Sequence, residues 1–225
     1  MKDVLENFRA RDYWIEQNLQ YAEPSFRLRK CARIINELAK DRECSLLDVG
    51  CGPGALRQVL SPNIAYHGID IAIHHADSCF REIDFSRNKI CFDGKSFDFI
   101  VAFGVFEYMG QLQERKFQEI RSILKKNGTF IMSYVNFGHF RRQIWPNYNN
   151  VRPIAEMADS IRKTFCLNKC FPASHHWRQK QPGKNALPAL QMHLNSNIPI
   201  FSPLLAVEYL FICSPQESHT HDSIR

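Results

Sequence analysis

LLDVGCGPG, residues 46–54, decides how the rest of the chain is read. A short apolar run ends in three glycines, Gly50, Gly52 and Gly54, and a helix is predicted to follow over Ala55–Leu60. Strand, glycine turn and helix in that order make the opening unit of a nucleotide-binding α/β fold, because glycine adopts backbone angles closed to other residues and lets a ligand approach the main chain. A GxGxG pattern also occurs in ordinary turns. The preceding apolar strand and an acidic residue, Asp48, two positions before the first glycine make the functional reading the stronger one.

Outward from this turn, helices and strands alternate. Apolar residues recur at three- and four-residue spacing over Val4–Leu19 and over Ser25–Ala39, where Leu28, Ala32, Ile35 and Leu38 share a face, with Pro24 between the two helices. Strands are predicted at Ser45–Gly50, Ala65–Ile69, Arg81–Ile83, Phe97–Phe103, Thr129–Val135, Cys166–Phe171 and Ala206–Ser214, with helices over Gln111–Lys126 and Pro153–Phe165. Lys125, Lys126, Asn127 and Gly128 read as the end of the first of these two helices. Alternation of this kind predicts a doubly wound parallel sheet with helices on both faces.

The chain of 225 residues, 44% hydrophobic, suffices for one core. One domain is expected over 1–225. It divides into N-terminal helices acting as a lid over 1–40, a cofactor-binding core over 41–140, an irregular acceptor-binding region over 141–205, a final strand over 206–214 and a disordered tail over 215–225. No apolar run approaches the ~18 residues of a membrane span and the first residues carry charges where a signal peptide needs apolar ones, so a cytoplasmic protein without a membrane partner is expected. Eight scattered cysteines contain no CxxC pair, and His74, His75 and Asp77 match no ligand spacing; no metal is expected. Residues 1–112 hold 14 basic and 16 acidic side chains, residues 113–225 hold 15 and 7. That asymmetry can steer an acidic small-molecule acceptor toward the C-terminal half, although solvated surface charge explains most imbalances of this size.

Three carboxylates define the ligand. Asp48 beside the glycine turn would repel a pyrophosphate and favour a ligand presenting cations, as S-adenosylmethionine does with its ammonium and sulfonium. Asp70, in HGIDIA at the end of the second strand, is placed to accept from both ribose hydroxyls, or else to cap a helix. Asp84, in REIDF, is placed to accept the adenine amino hydrogen with Phe85 or Ile71 on the ring, or else to cap a turn before Ser86.

LLDVGCGPG, HGIDIA, REIDF, FDFIVAFGVFEYMG and LKKNGTFIMSYV stand in the order and spacing of the class I S-adenosylmethionine-dependent methyltransferases, and residues 25–140 resemble that family. The resemblance implies a Rossmann-like seven-stranded sheet of order 3-2-1-4-5-7-6 with strand 7 antiparallel, Ala206–Ser214 being that strand. It implies S-adenosylmethionine as cofactor, with Gly50, Cys51, Gly52 and Gly54 around the methionine moiety, Asp70 at the ribose, Asp84 at the adenine, and Phe103 and Gly104 beside the sulfonium.

Methyl transfer from a sulfonium needs an aligned acceptor and a dry site more than an elaborate catalytic group. Glu107 and Tyr108 stand where many relatives carry Glu-His, and the tyrosine there removes a base from that position. Glu107 reads equally as a substrate contact or as a helix-start carboxylate. His139 is the candidate general base, and Asn136, Tyr148, His175 and His176 are candidate acceptor contacts; the alternative for each is a solvated loop residue. A small-molecule O- or N-methyltransferase is the preferred reading. An RNA methyltransferase lacks a visible recognition module, so nucleic acid is disfavoured as a partner. Gly50, Gly52 and Ala55 also satisfy GxGxxA, which keeps an NAD-dependent oxidoreductase in view, and a non-catalytic cofactor-binding subunit is the remaining alternative.

Overall fold

The structure is a computed structural model that describes residues 21–73, 77–90, 92, 94–138, 152–176, 191–192 and 198–216, together with residue 15. Most of 4–19, and His74, His75, His139 and Tyr148, lie outside the described residues, as does the side chain of His176.

The described strands join one sheet: β1 (Cys44–Val49), β2 (Ile64–Asp70), β3 (Phe80–Glu82), β4 (Phe97–Phe103), β5 (Leu124–Val135), β6 (Phe165–His176), β7 (Gln191–Met192) and β8 (Ala206–Pro215). They lie in the order β3-β2-β1-β4-β5-β8-β6-β7. The pairs from β3 to β5 are parallel, and β8 runs antiparallel to both β5 and β6. Leaving aside the two-residue β7, β8 is the seventh strand. The sheet then has the order 3-2-1-4-5-7-6 with its seventh strand reversed, the topology that the sequence implied.

The chain travels outward from β1 to β3 and then returns to lay β4 on the other side of β1. At such a reversal the loops after adjacent strands diverge, leaving a crevice at the strands' carboxyl ends. β1 and β4 flank it because they are apolar on both faces: Leu47, Val49, Ile100 and Ala102 face one core, Leu46, Phe99 and Val101 the other. One layer covers each face. Helix α1 (Phe26–Ala39) starts at Ser25, whose side chain accepts from Leu28 N–H, and packs Ala32, Ile35 and Ala39 onto the second core. Helices α2 (Gln113–Ile123) and α3 (Ile154–Arg162) cover the first, where Phe117 stacks on Phe106 at 4.4 Å between ring centroids. Phe117 is fully buried, so Phe117→Ala would cost about 3–5 kcal/mol.

The structure departs from the sequence reading at several places. The helix predicted to Lys126 stops at Ile123, because Leu124 turns extended and pairs with Phe97 at the start of β4. The pairing then shifts so that Thr129 meets Phe99, which makes Lys125–Gly128 a bulge in β5, not a helix cap. The helix predicted over Ala55–Leu60 is a short 3₁₀ helix, Ala55–Val59. Leu38, read onto the apolar face of α1, is 43% exposed. Downstream, β6 runs on to His176, helix α4 (Phe201–Leu205) precedes β8, and β8 continues through Pro215, with Gln216 Nε2 donating to Arg162 O. No helix among the described residues is long and apolar enough to cross a membrane.

Candidate functional site

The crevice at the carboxyl ends of β1, β2 and β4 deepens into a cavity of about 540 Å³, within the range of small-ligand pockets. Its floor is the glycine turn, tied to the end of β2. Gly50 N–H and Cys51 N–H both donate to Ile69 O at 2.8 and 3.1 Å, and Gly52 N–H donates to Asp70 Oδ2 at 2.7 Å. Gly50 has φ +71° and a Cβ there would meet Val105 Cγ2 at 2.5 Å, so the turn and the segment after β4 close on each other only because this residue is glycine. Cys51 and Gly52 line the cavity. Gly54 does not: it lies against the Phe80 ring, where a Cβ would sit 2.6 Å from Cζ.

Asp48 lines the cavity at 3% exposure, and Tyr66 donates its hydroxyl to Oδ2 at 2.9 Å. Burial lifts its carboxyl to about 7, against the pull of the Tyr66 hydroxyl; neighbouring Asp70 pushes up and Arg27 pulls down. A cation beside Asp48 would favour its ionised form.

Asp70 lines the cavity while Oδ2 holds Gly52 and Oδ1 accepts from Ala72 N–H at 3.2 Å. It therefore shapes the turn as well as facing it. Asp84 also lines the cavity, with Oδ1 accepting from Ser86 N–H and Oγ at 2.9 and 2.6 Å and Oδ2 3.5 Å from Arg87 Nε. Its turn-capping role and its cavity position coexist. Ile71 and Phe85 add apolar surface between these two carboxylates.

Phe103 and Gly104 mark the far end of the cavity. Gly104 N–H donates to Ser133 Oγ at 3.1 Å. Arg27 reaches in from α1, its Nη1 2.7 Å from Glu208 Oε2 on β8 and its Cζ 5.9 Å from the Phe103 ring centre. Glu107, in the turn after β4, is 1% exposed. Its Oε1 accepts from Val135 N–H at 2.9 Å, while Oε2 is buried with no hydrogen-bond partner. Burial lifts this carboxyl too to about 7, opposed by backbone N–H donors including that of Val135. Tyr108 lies beside it in the lining.

Two expected acceptor contacts lie outside this lining. Asn136 is a brace: Nδ2 donates to Pro203 O and Ala206 O at 2.8 and 2.7 Å, and Oδ1 accepts from Gly138 N–H at 3.0 Å. Every polar atom of its side chain is used to fasten the end of β5 to the start of β8. His175 is 1% exposed with Nε2 2.8 Å from Ser202 Oγ, which ties β6 to α4. Burial lowers its pKa, so it stays neutral. Arg27 and Glu208 line the cavity without having been singled out in the sequence. Glu208 carried a signal, a lone carboxylate in the apolar run Ala206–Cys213. Arg27 carried none, since a charged residue off the apolar face of a helix is ordinary.

The residues present suit S-adenosylmethionine. A buried, half-ionised Asp48 matches an ammonium, the turn at Gly50–Gly52 leaves the main chain approachable, and Asp70, Ile71, Asp84 and Phe85 offer acceptors and apolar surface for a nucleoside. No group of three or more metal-ligating side chains occurs among the described residues.

Residues 22–172 match a family model described as a methyltransferase domain. A search of curated proteins gives no match. Among solved structures, one similar chain comes from the complex between the Haloferax volcanii Trm112 methyltransferase activator and the putative methyltransferase. It is 18% identical with a TM-score of 0.65, over 97% of this chain and 100% of that one. An S-adenosylmethionine-dependent methyltransferase from Clostridium acetobutylicum is 11% identical with a TM-score of 0.57, over 89% and 96%. The CcbJ methyltransferase from Streptomyces caelestis is 12% identical with a TM-score of 0.56, over 85% and 90%. At these identities the likeness speaks for the fold, and the family match over well more than half the chain speaks for membership. The chain belongs to the methyltransferase domain family and is a class I S-adenosylmethionine-dependent methyltransferase.

Proposed function

We propose that the acceptor is a small molecule, methylated on oxygen or nitrogen at the Glu107 end of the cavity. The observation that carries this reading is the charge of the lining. Six carboxylates, those of Glu23, Asp48, Asp70, Asp84, Glu107 and Glu208, face the cavity with Arg27 as the one cationic side chain among the described lining residues. Such a wall repels phosphate, and RNA binding depends on cationic contacts to phosphates. It also argues against the acidic acceptor that the basic C-terminal half suggested.

Bound in the cavity, S-adenosylmethionine supplies an electrophilic methyl group open to in-line displacement by an acceptor lone pair. The protein's part is to hold and to dry. In this reading Gly50, Cys51 and Gly52 line the methionine moiety, with Asp48 fixing its charge. Asp70 accepts from the ribose, and Asp84 with Ile71 and Phe85 holds the adenine. Phe103 and Gly104 border the reacting end, and Glu107 and Tyr108 contact the acceptor. Burial of this end strengthens every electrostatic contact there.

The test incubates the protein with methyl-tritiated S-adenosylmethionine and a whole-cell extract, then separates the low-molecular-mass, RNA and protein fractions. Label in the low-molecular-mass fraction is expected. Label in the RNA fraction that ribonuclease releases would refute the reading.

A further inference from the structure

The three charged groups at the far end of the cavity do not balance. Arg27 from α1 is paired at 2.7 Å with Glu208 from β8, and no ion pair to Glu107 is formed among the described residues. Val135 N–H satisfies Glu107 Oε1, but Oε2 is buried in the cavity wall with no hydrogen-bond partner among the described residues. Buried polar atoms are nearly always hydrogen-bonded, and an exception inside a ligand cavity marks a place that a ligand completes. For the ionised carboxylate the missing partner is a donor. A surplus of one negative charge at the same place asks that the donor be a cation.

From this geometry we infer that the methyl acceptor is a cationic amine, bound through its ammonium by Glu107, and that Glu107 takes the proton that the amine must lose. The inference rests on the methyl-transfer reading above and names the acceptor class for it. An ammonium has no lone pair and is inert. The Glu107 carboxylate accepts one N–H proton and becomes the carboxylic acid, leaving the neutral amine in place. The amine lone pair then forms the new N–CH3 bond while the S–CH3 bond breaks and its electron pair stays on sulfur. The product is the methylated ammonium, and Glu107 gives its proton to solvent when the product leaves.

The surroundings suit this task. Burial holds the Glu107 carboxyl up to about 7, with Glu208 on β8 adding to the rise and Arg27 on α1 opposing it. Tyr134 on β5 and Tyr108 in the same turn as Glu107 are further titratable neighbours among the described residues, and burial lifts the Tyr134 hydroxyl above the ordinary range. A carboxylate this basic lies closer to an amine than an exposed one would, which makes the proton transfer less uphill.

Three probes of one shape and different charge test the inference: phenethylamine, phenethyl alcohol and phenylacetate, titrated by calorimetry into the protein saturated with S-adenosylhomocysteine. Phenethylamine is expected to bind about tenfold tighter than the alcohol or better, with phenylacetate weakest. Near neutral pH its binding is expected to release protons, read from buffers of different ionisation heat, and well above pH 7 to release none, because Glu107 is then already ionised. Glu107→Gln keeps an oxygen for Val135 N–H; it is expected to retain S-adenosylhomocysteine affinity within about threefold while losing both the amine preference and the proton release.

Equal affinity for the three probes, a preference for phenylacetate, or an amine preference that survives Glu107→Gln would overturn the inference. The comparison of the three probes on the wild-type protein stands whether or not the variant folds. If wild-type protein fails to bind S-adenosylhomocysteine, the methyl-transfer reading itself fails; if it binds that nucleotide and shows no amine preference, only this inference does.

Discussion

Adding a single methyl group at Gly50 separates two reasons for the glycine turn. At φ +71° an L residue pays about 1–2 kcal/mol for the left-handed conformation. The new Cβ would also lie 2.5 Å from Val105 Cγ2, and relieving an overlap of that kind costs a further ~1–3 kcal/mol. Gly50→Ala should therefore lose about 2–5 kcal/mol. Gly94 provides the control, since it has φ +75° and nothing within 4 Å of a Cβ, so Gly94→Ala should show the first cost alone. Relief at Gly50 has to move the turn, and the turn is fastened through Gly50 and Cys51 to Ile69 O and through Gly52 to Asp70. S-adenosylhomocysteine affinity should then fall about tenfold, or ~1.4 kcal/mol, in Gly50→Ala and stay unchanged in Gly94→Ala. Urea unfolding and calorimetric titration of the two variants read both quantities. Equal destabilisation of the two, or wild-type affinity in Gly50→Ala, would refute the claim that close approach to Val105 sets the shape of the site.

Asn136→Ala should cost about 1–3 kcal/mol or more, because the acceptors at Pro203 and Ala206 and the donor at Gly138 lose their partner in a buried setting, while S-adenosylhomocysteine affinity stays within about twofold. A large loss of affinity with little loss of stability would show Asn136 acting on the ligand. Asp48 and Glu107 set a pH dependence of the ligand-free protein. Both carboxyls are lifted in the folded state, from 3.8 and 4.5 to about 7, so the folded protein binds more protons than the unfolded one between those values. Their contribution is full below about pH 4 and is lost as pH rises through about 7, by at most ~1.4 kcal/mol per pH unit for each group. Urea unfolding should show stability falling from about pH 5 to about pH 8, with a shallower fall in Asp48→Asn; a flat or rising profile would contradict the raised pKa of these two buried carboxyls.

The centre of the fold was legible because β1 and β4 are apolar on both faces and are each followed by a glycine. Cys44–Val49 and Phe97–Phe103 could be little else, and their order with the intervening helices fixed the crevice. The bulge at Lys125–Gly128 was not legible. Phe117, Ile120 and Leu124 continue a helical spacing, and Lys-Lys-Asn-Gly is what a helix end looks like; only the pairing of Leu124 with Phe97, distant in sequence, overrides that local preference. Asp70 and Asp84 were legible as cavity-lining residues because each follows a predicted strand end, and Asp48 because it precedes the glycine turn. The pairing of Arg27 with Glu208 in the lining was not legible, because the two meet across 181 positions of sequence. Asn136 and His175 were polar groups in plausible places whose hydrogen bonds the fold itself uses, and a sequence cannot tell a brace from a ligand contact.

The most direct test of the account is calorimetric binding of S-adenosylmethionine, S-adenosylhomocysteine and NAD to the wild-type protein and to Asp70→Ala. Binding of both sulfur nucleotides, weakened about tenfold or more in Asp70→Ala and with no measurable binding of NAD, is the predicted result. NAD-selective binding would contradict it.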